Sequence, residues 1–141
     1  MTQQQGLMAG KKGLIMGVAN NHSLAWGIAK ALSEHGAEIA FTYQGEALGK
    51  RVVPLAESLG SDTVLECDVT DDASMDTVFA ALKEKWGKID YFVHAIGFSD
   101  KTQLRGNFSD TTRENFAMTM DISCFSFIAL AKRASELMND G

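Results

Sequence analysis

The chain has 141 residues, of which 45% are hydrophobic and 22% are charged, and its formal net charge at pH 7 is -5. This composition is typical of one folded globular domain and argues against a disordered chain. The acidic balance provides no broad basic surface for nucleic acid or an anionic membrane. We therefore expect a protein that acts on small molecules.

The N-terminal residues 1 to 10 lack the basic start and the long apolar centre of a signal peptide. No apolar run in the sequence approaches the roughly 20 residues that cross a membrane as a helix. These features favour a cytoplasmic protein.

Residues 11 to 29 predict a strand, a phosphate-binding turn and a helix. An apolar run ends at Gly17, a small polar loop follows, and apolar residues with helical spacing resume at Leu24. Backbone N–H groups and the positive end of a helix dipole can face an anion there, and a side chain at Gly17 would block a pyrophosphate. The fingerprint G-x-G-x-x-G is not met, because Ala19 and His22 replace its later glycines. An ordinary strand-to-helix connection is the alternative.

The rest of the chain alternates between helix and strand patterns. In the first helix, Leu24, Ile28 and Leu32 form an apolar stripe with flanking alanines, and Gly36 follows its end. The later elements are predicted as a strand at 37–43, a helix at 47–59, a strand at 63–67, a helix ending at 86, a strand at 89–95, a loop at 98–111 and a long helix from 112 to about 139. Four alternations without a repeat or linker predict an α/β fold with a parallel sheet, covered on both faces and joined by right-handed crossovers.

The long last helix carries more apolar residues than one buried face requires. Its predicted core face comprises Phe116, Met120, Ser123, Phe127, Leu130, Ala134 and Leu137. Because Met118, Phe125 and Ile128 lie elsewhere around the helix, we expect a second buried side, at a subunit interface.

In a parallel sheet of this kind, the ligand lies beyond the carboxyl ends of the strands. Gln44 ends the second strand, where dinucleotide enzymes usually place an acid for NAD or a nearby arginine for NADP. A neutral amide can bond the ribose 2′-hydroxyl but cannot neutralise a 2′-phosphate, so NADH is favoured over NADPH, although Lys50 and Arg51 follow in the next helix. The alternative is that Gln44 is a solvated turn residue.

The ends of the third and fourth strands provide further candidate contacts. The Asp68 carboxylate can accept a hydrogen bond from the adenine amino group while the Val69 backbone contacts the ring edge. Alternatively, Asp68 helps to cap the next helix. The side chains and backbone at 95–97 leave room for the nicotinamide ribose. Alternatively, this segment only connects the strand to the following loop and contacts no ligand.

No residue pattern predicts a metal site or a nucleophile. His22, His35 and His94 fall on different elements without the spacing of metal ligands, which favours surface or packing roles. Cys67 and Cys124 form no C-x-x-C pair, so we expect reduced, packed thiols. The absence of G-x-S-x-G and of G-x-x-x-x-G-K-[ST] argues against a serine hydrolase and a P-loop enzyme.

Five ordered segments carry a more specific pattern: G-V-A-N-N-H-S-L-A-W-G-I-A at 17–29, F-T-Y-Q at 41–44, C-D-V at 67–69, V-H-A-I-G-F at 93–98 and D-I-S at 121–123. Together they resemble the bacterial enoyl-acyl-carrier-protein reductases, a divergent branch of the short-chain dehydrogenase/reductase family. The likeness covers nearly the whole chain after residue 8. It implies a doubly wound Rossmann fold, usually in a homotetramer, and NAD(P)H-dependent reduction of trans-2-enoyl chains on carrier protein in fatty-acid elongation.

The resemblance also implies individual roles. The residues that match cofactor-binding positions are Gly17, Ser23, Leu24, Gln44, Asp68, Val69 and Ile96. Ser99 falls where the family contacts substrate, and no metal is implied. Ser23 replaces a glycine of the main short-chain dehydrogenase group, which accounts for the unmet fingerprint.

The implied reaction transfers a hydride to the β-carbon of the enoyl group, and a tyrosine hydroxyl stabilises the enolate while a lysine anchors the ribose. In the family these two residues follow the long helix, so we expect no catalytic residue before Gly141. Tyr43 and Lys50 have the family's seven-residue separation, but Tyr43 lies on the adenosine side, and we interpret this as coincidence.

The fourth strand would form an uncovered apolar edge if nothing followed it. We therefore expect residues 1–141 to be the N-terminal, dinucleotide-binding part of a single Rossmann domain, with four strands and four helices, and inactive alone. One alternative is a 3-oxoacyl reductase, which requires Asn-Asn-Ala-Gly where this chain has His94 to Gly97. Another is a non-catalytic nucleotide-binding or assembly fragment.

Overall fold

Four parallel strands form the sheet in the computed structural model, which describes residues 6–140. The strands are β1 (Lys12–Met16), β2 (Glu38–Tyr43), β3 (Val64–Glu66) and β4 (Tyr91–His94). Their order across the sheet is β3-β2-β1-β4, and the register aligns Leu14 of β1 with Ala40 of β2 and Phe92 of β4. The predicted parallel α/β sheet is therefore confirmed.

Helices follow the strands in the predicted alternation. They are α1 (Leu24–Glu34), α2 (Glu46–Ser58), α3 (Asp72–Trp86), α4 (Arg113–Met120) and α5 (Ser126–Leu137). A π-helical turn, Asp121–Phe125, joins α4 to α5, so these two helices form the single long helix that the sequence predicts. The segment predicted as a loop at 98–111 contains two short 3₁₀ turns, Lys101–Leu104 and Phe108–Asp110.

Two apolar cores cover the two faces of the sheet, because successive side chains of a strand point to opposite sides. Ile15 of β1 packs with Phe41 and Val52 in the core beneath α1 and α2. Leu14 packs with Leu82 and Leu130 in the core beneath α3 and α5. Among residues 6–140, no helix has the length and apolarity needed to span a membrane.

The predicted core stripe of α1 is wrong for two of its residues. Leu24 is 86% exposed and Ile28 is 39% exposed, whereas Ala25, Trp26 and Ala29 are buried. An apolar spacing of four residues fits two adjacent helix faces equally well. The helix turns its alanine face and Trp26 to the sheet, which leaves Leu24 and Ile28 at the surface.

The predicted core face of the long helix is correct only in its second half. Leu130, Ala134 and Leu137 are buried, but Phe116, Met120 and Phe127 are exposed. The π-helical turn holds more residues than an α-helical turn, so it displaces the apolar face that a regular helix would present. Ser126 is buried where the spacing predicts Phe127. The expected subunit interface on the exposed apolar side remains a prediction.

The two cysteines differ in burial. Both thiols are free, Cys67 is buried as expected, and Cys124 is exposed, so its predicted packing is wrong. Cys124 belongs to the π-helical turn, in which Asp121 and Phe125 are also exposed. Among residues 6–140, β4 is an edge strand that pairs with β1, and Ile89, just before it, forms an isolated parallel bridge with Met138. The expectation that this chain is one part of a larger domain stays a prediction.

Candidate functional site

The carboxyl ends of all four strands border one cavity of about 300 Å³. Gly17 follows β1, Gln44 follows β2, Val69 follows β3, and Ile96 follows β4, and all four line its wall. The sequence predicts each of these residues at a ligand site. The structure brings these four predicted residues together.

Residue 17 must be a glycine because the loop after β1 passes very close to the segment after β4. The φ of Gly17 is +113°, which lies in a region that side chains with a Cβ rarely adopt. A Cβ at this position would also collide with the carbonyl group of Ala95, just after β4. These two constraints require glycine in the protein alone, and the sequence argument that a side chain would block a pyrophosphate stays a prediction.

The loop between β1 and α1 is held by Ser23. Its Oγ accepts hydrogen bonds from the backbone N–H groups of Ala19 at 3.0 Å and Asn20 at 3.2 Å. Its carbonyl oxygen accepts the N–H groups of Trp26 at 3.0 Å and Gly27 at 3.2 Å, which starts α1. Because Ala19 lines the cavity, Ser23 holds the N-terminus of α1 beside the cavity wall.

Ser23 and Leu24 do not line the cavity wall themselves. Asp68 also lies outside the lining set, and its Oδ1 accepts the N–H of Thr70 at 2.9 Å and the hydroxyl of Thr70 at 2.6 Å. Asp71, not Asp68, caps α3, by accepting the N–H of Ala73 at 3.0 Å. The side chains of Ser23 and Asp68 therefore stabilise their own loops by hydrogen bonds. Other residues of these loops, Ala19 and Val69, form the cavity wall.

Ser99 borders a different cavity, between the 3₁₀ turns and α4. Its Oγ lies 3.0 Å from Oγ1 of Thr119 and 3.4 Å from Nδ2 of Asn115. The backbone N–H of Asp100 donates to Oδ1 of Asn115 at 3.2 Å. These contacts fix the chain after β4 to α4.

Some cavity residues were missed by the sequence analysis. Leu48 reaches the wall from α2, and Ile122 reaches it from the π-helical turn. An apolar helical residue carries no local signal that separates a cavity wall from a core. Cys67 is also a lining residue, although it is buried. Burial raises the pKa of its thiol to about 11, so the thiol is protonated at neutral pH.

No charged side chain lines the cavity within the described residues. An anionic ligand bound there would be stabilised by backbone N–H groups and the N-terminal dipole of α1. The N–H of Trp26 donates to the Ser23 carbonyl, whereas the N–H groups of Leu24 and Ala25 have no partner among residues 6–140 and can face a ligand. The cavity therefore fits a ligand with apolar rings and an anionic bridge.

The sequence of the chain matches the family model described as enoyl-(acyl carrier protein) reductase over residues 17–141. The chain belongs to this family. Among its members, the NADH enoyl-acyl-carrier-protein reductase 2 of Rhizobium meliloti (strain 1021) is 67% identical over 136 residues, which are 96% of this chain and 51% of the relative.

Two crystal structures from the family share the fold closely. FabI from Candidatus Liberibacter asiaticus superimposes with a TM-score of 0.92 at 53% identity, over 94% of this chain and 51% of that one. The reductase from Anaplasma phagocytophilum, solved in complex with NAD, gives a TM-score of 0.90 at 54% identity, over 94% of this chain and 50% of that one. The chain thus spans about half the length of these family members.

Proposed function

We propose that this chain forms the coenzyme-binding part of an NADH-dependent enoyl-acyl-carrier-protein reductase. The observation that carries the proposal is a cavity that the ends of all four strands share, in a chain of this family. The Rhizobium meliloti relative that is named for NADH is 67% identical over this part, and the Anaplasma phagocytophilum structure solved with NAD has the same fold over it. The substrate is a trans-2-enoyl chain on acyl carrier protein, and the whole protein is a cytoplasmic homotetramer.

The cavity residues fit a nicotinamide coenzyme. Gly17 and the backbone of the following loop provide N–H donors near the N-terminus of α1 for a diphosphate. Gln44 provides a neutral amide for the adenosine ribose, and Val69 provides an apolar contact for adenine. Ile96 forms the wall on the nicotinamide side, and NADH supplies the hydride when it is bound.

Three further predicted residues act from outside the lining. Ser23 holds the loop that bears Ala19, and Leu24 provides an N–H at the first turn of α1. Asp68 orders the turn that presents Val69, because its carboxylate is hydrogen-bonded to Thr70. Ser99 is proposed to contact the substrate from the segment after β4. The catalytic tyrosine and lysine are proposed to come from the part of the enzyme that this chain does not span.

A chimeric enzyme tests the proposal. This chain replaces the matched half of the Rhizobium meliloti reductase, which is 67% identical over that part. We expect NADH to be oxidised when trans-2-enoyl thioester is added, and not when 3-oxoacyl thioester is added. The intact Rhizobium meliloti enzyme is the control for assay conditions. A folded chimera that oxidises NADH only with 3-oxoacyl thioester, or with neither thioester, contradicts the proposal.

A further inference from the structure

The π-helical turn between α4 and α5 has a rearranged set of hydrogen bonds. The N–H of Ser126 donates to the carbonyl of Asp121, five residues earlier. In a regular α-helix this N–H would donate to the carbonyl of Ile122. That carbonyl instead accepts the hydroxyl of Ser126 at 2.6 Å. The serine side chain therefore satisfies the carbonyl that the wide turn frees.

The same hydroxyl fixes the last residue of β4. A serine hydroxyl has one proton to donate, and that of Ser126 goes to Ile122. The 2.8 Å contact between Ser126 Oγ and His94 Nε2 must therefore run from the imidazole N–H to the serine oxygen. This bond ties the end of β4 to the long helix, and it assigns the proton of the neutral imidazole to Nε2.

Ser123 ties the chain beyond β4 to the same turn. Its Oγ accepts the backbone N–H of Phe98 at 3.0 Å and donates to the Phe98 carbonyl at 3.2 Å. One hydroxyl thus satisfies both backbone polar groups of a residue that has left the sheet. A Cβ built on Gly97 would lie 3.8 Å from this oxygen, so the segment passes close to the turn.

The contacts of Ser126 with His94 and of Ser123 with Phe98 lie at the two ends of a segment that lines the cavity. Residues 95–98 line the cavity, and they follow His94 directly along the chain. Ile122, the neighbour of Ser123, also lines it. The helix and the strand exit therefore form this wall together, and Ser123 contacts the wall from behind without lining the cavity.

We propose that Ser123 is a positioning residue for coenzyme binding, whose hydroxyl holds residues 96–98 in place as one wall of the cavity. The inference rests on the proposed function, since it takes the cavity as the NADH site. Without the Ser123 hydroxyl, residues 96–98 would become ordered only when the coenzyme binds. Ordering a loop on binding costs conformational entropy, which weakens the affinity for the coenzyme. The effect of Ser123 is thus on coenzyme affinity through Phe98.

Solvent exchange of the Phe98 amide, measured by NMR on the 141-residue chain, tests the contact without any coenzyme. In Ser123→Ala we expect this amide to exchange faster by up to about tenfold, because a single net hydrogen bond is lost. Ser123→Thr keeps the hydroxyl and is expected to restore slow exchange. Ser135→Ala is the matched control, since the Ser135 hydroxyl also donates to a backbone carbonyl of this helix, that of Lys132 at 2.7 Å. Unchanged exchange in Ser123→Ala overturns the inference.

The dissociation constant of NADH, measured by fluorescence titration of the chimera, tests the consequence. Ser123→Ala is expected to raise it roughly three- to tenfold, and Ser123→Thr to return it towards the parent value. Faster exchange at Phe98 with an unchanged dissociation constant overturns the positioning role. A parent chimera that binds NADH but reduces no enoyl thioester overturns the proposed function alone. A folded parent chimera that binds no NADH overturns both.

Discussion

Gly17 and Ala95 approach each other so closely across β1 and β4 that a Cβ at residue 17 would collide with the Ala95 carbonyl. This contact joins the loop after β1 to the segment after β4, and both segments line the cavity. The absence of a Cβ at residue 17 therefore allows these two lining segments to approach each other. The same glycine has a φ of +113°, so two independent constraints act on one position.

Gly17→Ala is expected to destabilise the chain by about 1–3 kcal/mol from the backbone conformation, with a further loss from the collision. Urea denaturation followed by circular dichroism measures the free energy of unfolding. Gly27→Ala is the matched control, because Gly27 is helical and a Cβ there meets nothing within 4 Å. That control is expected to gain about 0.5–1 kcal/mol. Equal stability of wild type and Gly17→Ala would show that the constraint is absent.

The two thiols are expected to differ sharply in reactivity. Burial raises the pKa of Cys67 to about 11 and its side chain is covered, whereas Cys124 is exposed. The thiolate is the reactive form of cysteine. Iodoacetamide should therefore modify Cys124 in the folded chain and Cys67 only after unfolding, as mass spectrometry of digested protein can show. Cys124→Ser should abolish modification of the folded chain. Equal labelling of both cysteines in the folded protein would contradict this expectation.

His94 is expected to make stability depend on pH. Desolvation lowers its pKa from the usual value of about 6.5, so the unfolded chain binds this proton more tightly than the folded chain. The free energy of unfolding should therefore rise with pH up to about 6.5 and then become level for this group; equivalently, this stability is lost as the pH falls. Urea denaturation at several pH values, compared between wild type and His94→Gln, measures the contribution. Glutamine keeps an N–H donor for Ser126. If the free energy of unfolding depends on pH equally in both proteins, titratable groups other than His94 cause the dependence.

Topology made the main part of the site predictable. In a parallel sheet the carboxyl ends of the strands lie along one edge, so four breaks in the sequence pattern locate four neighbouring segments. Gly17, Gln44, Val69 and Ile96 are brought together for this reason. Their separation in the sequence is irrelevant once the order of strands and helices is known.

The direction of individual side chains could not be predicted from the sequence, because it depends on local hydrogen bonds and helix geometry. Ser23 directly precedes α1 and Asp68 follows β3. Their side chains accept hydrogen bonds from backbone N–H groups of their own loops, and this depends on loop geometry that the pattern does not contain. Their predicted contacts with a coenzyme stay predictions. The exposed Leu24 shows the same limit for apolar spacing. The π-helical turn was missed because a regular helical period fits the residues on both sides of it.

Gln44→Arg in the chimera is expected to shift coenzyme preference towards NADPH. Gln44 lines the cavity after β2 and offers no charge, whereas arginine can form a bidentate, charge-assisted pair with a 2′-phosphate. A hydrogen bond to a charged group contributes about 1.5–3 kcal/mol, so the ratio of the NADPH to the NADH dissociation constant should fall by about tenfold or more. Fluorescence titration with each coenzyme measures this ratio. Ala80→Arg adds the same charge on the exposed side of α3, outside the cavity, and should leave the ratio unchanged. An equal fall in both variants would mean that overall charge, and not the position of Gln44, controls the preference.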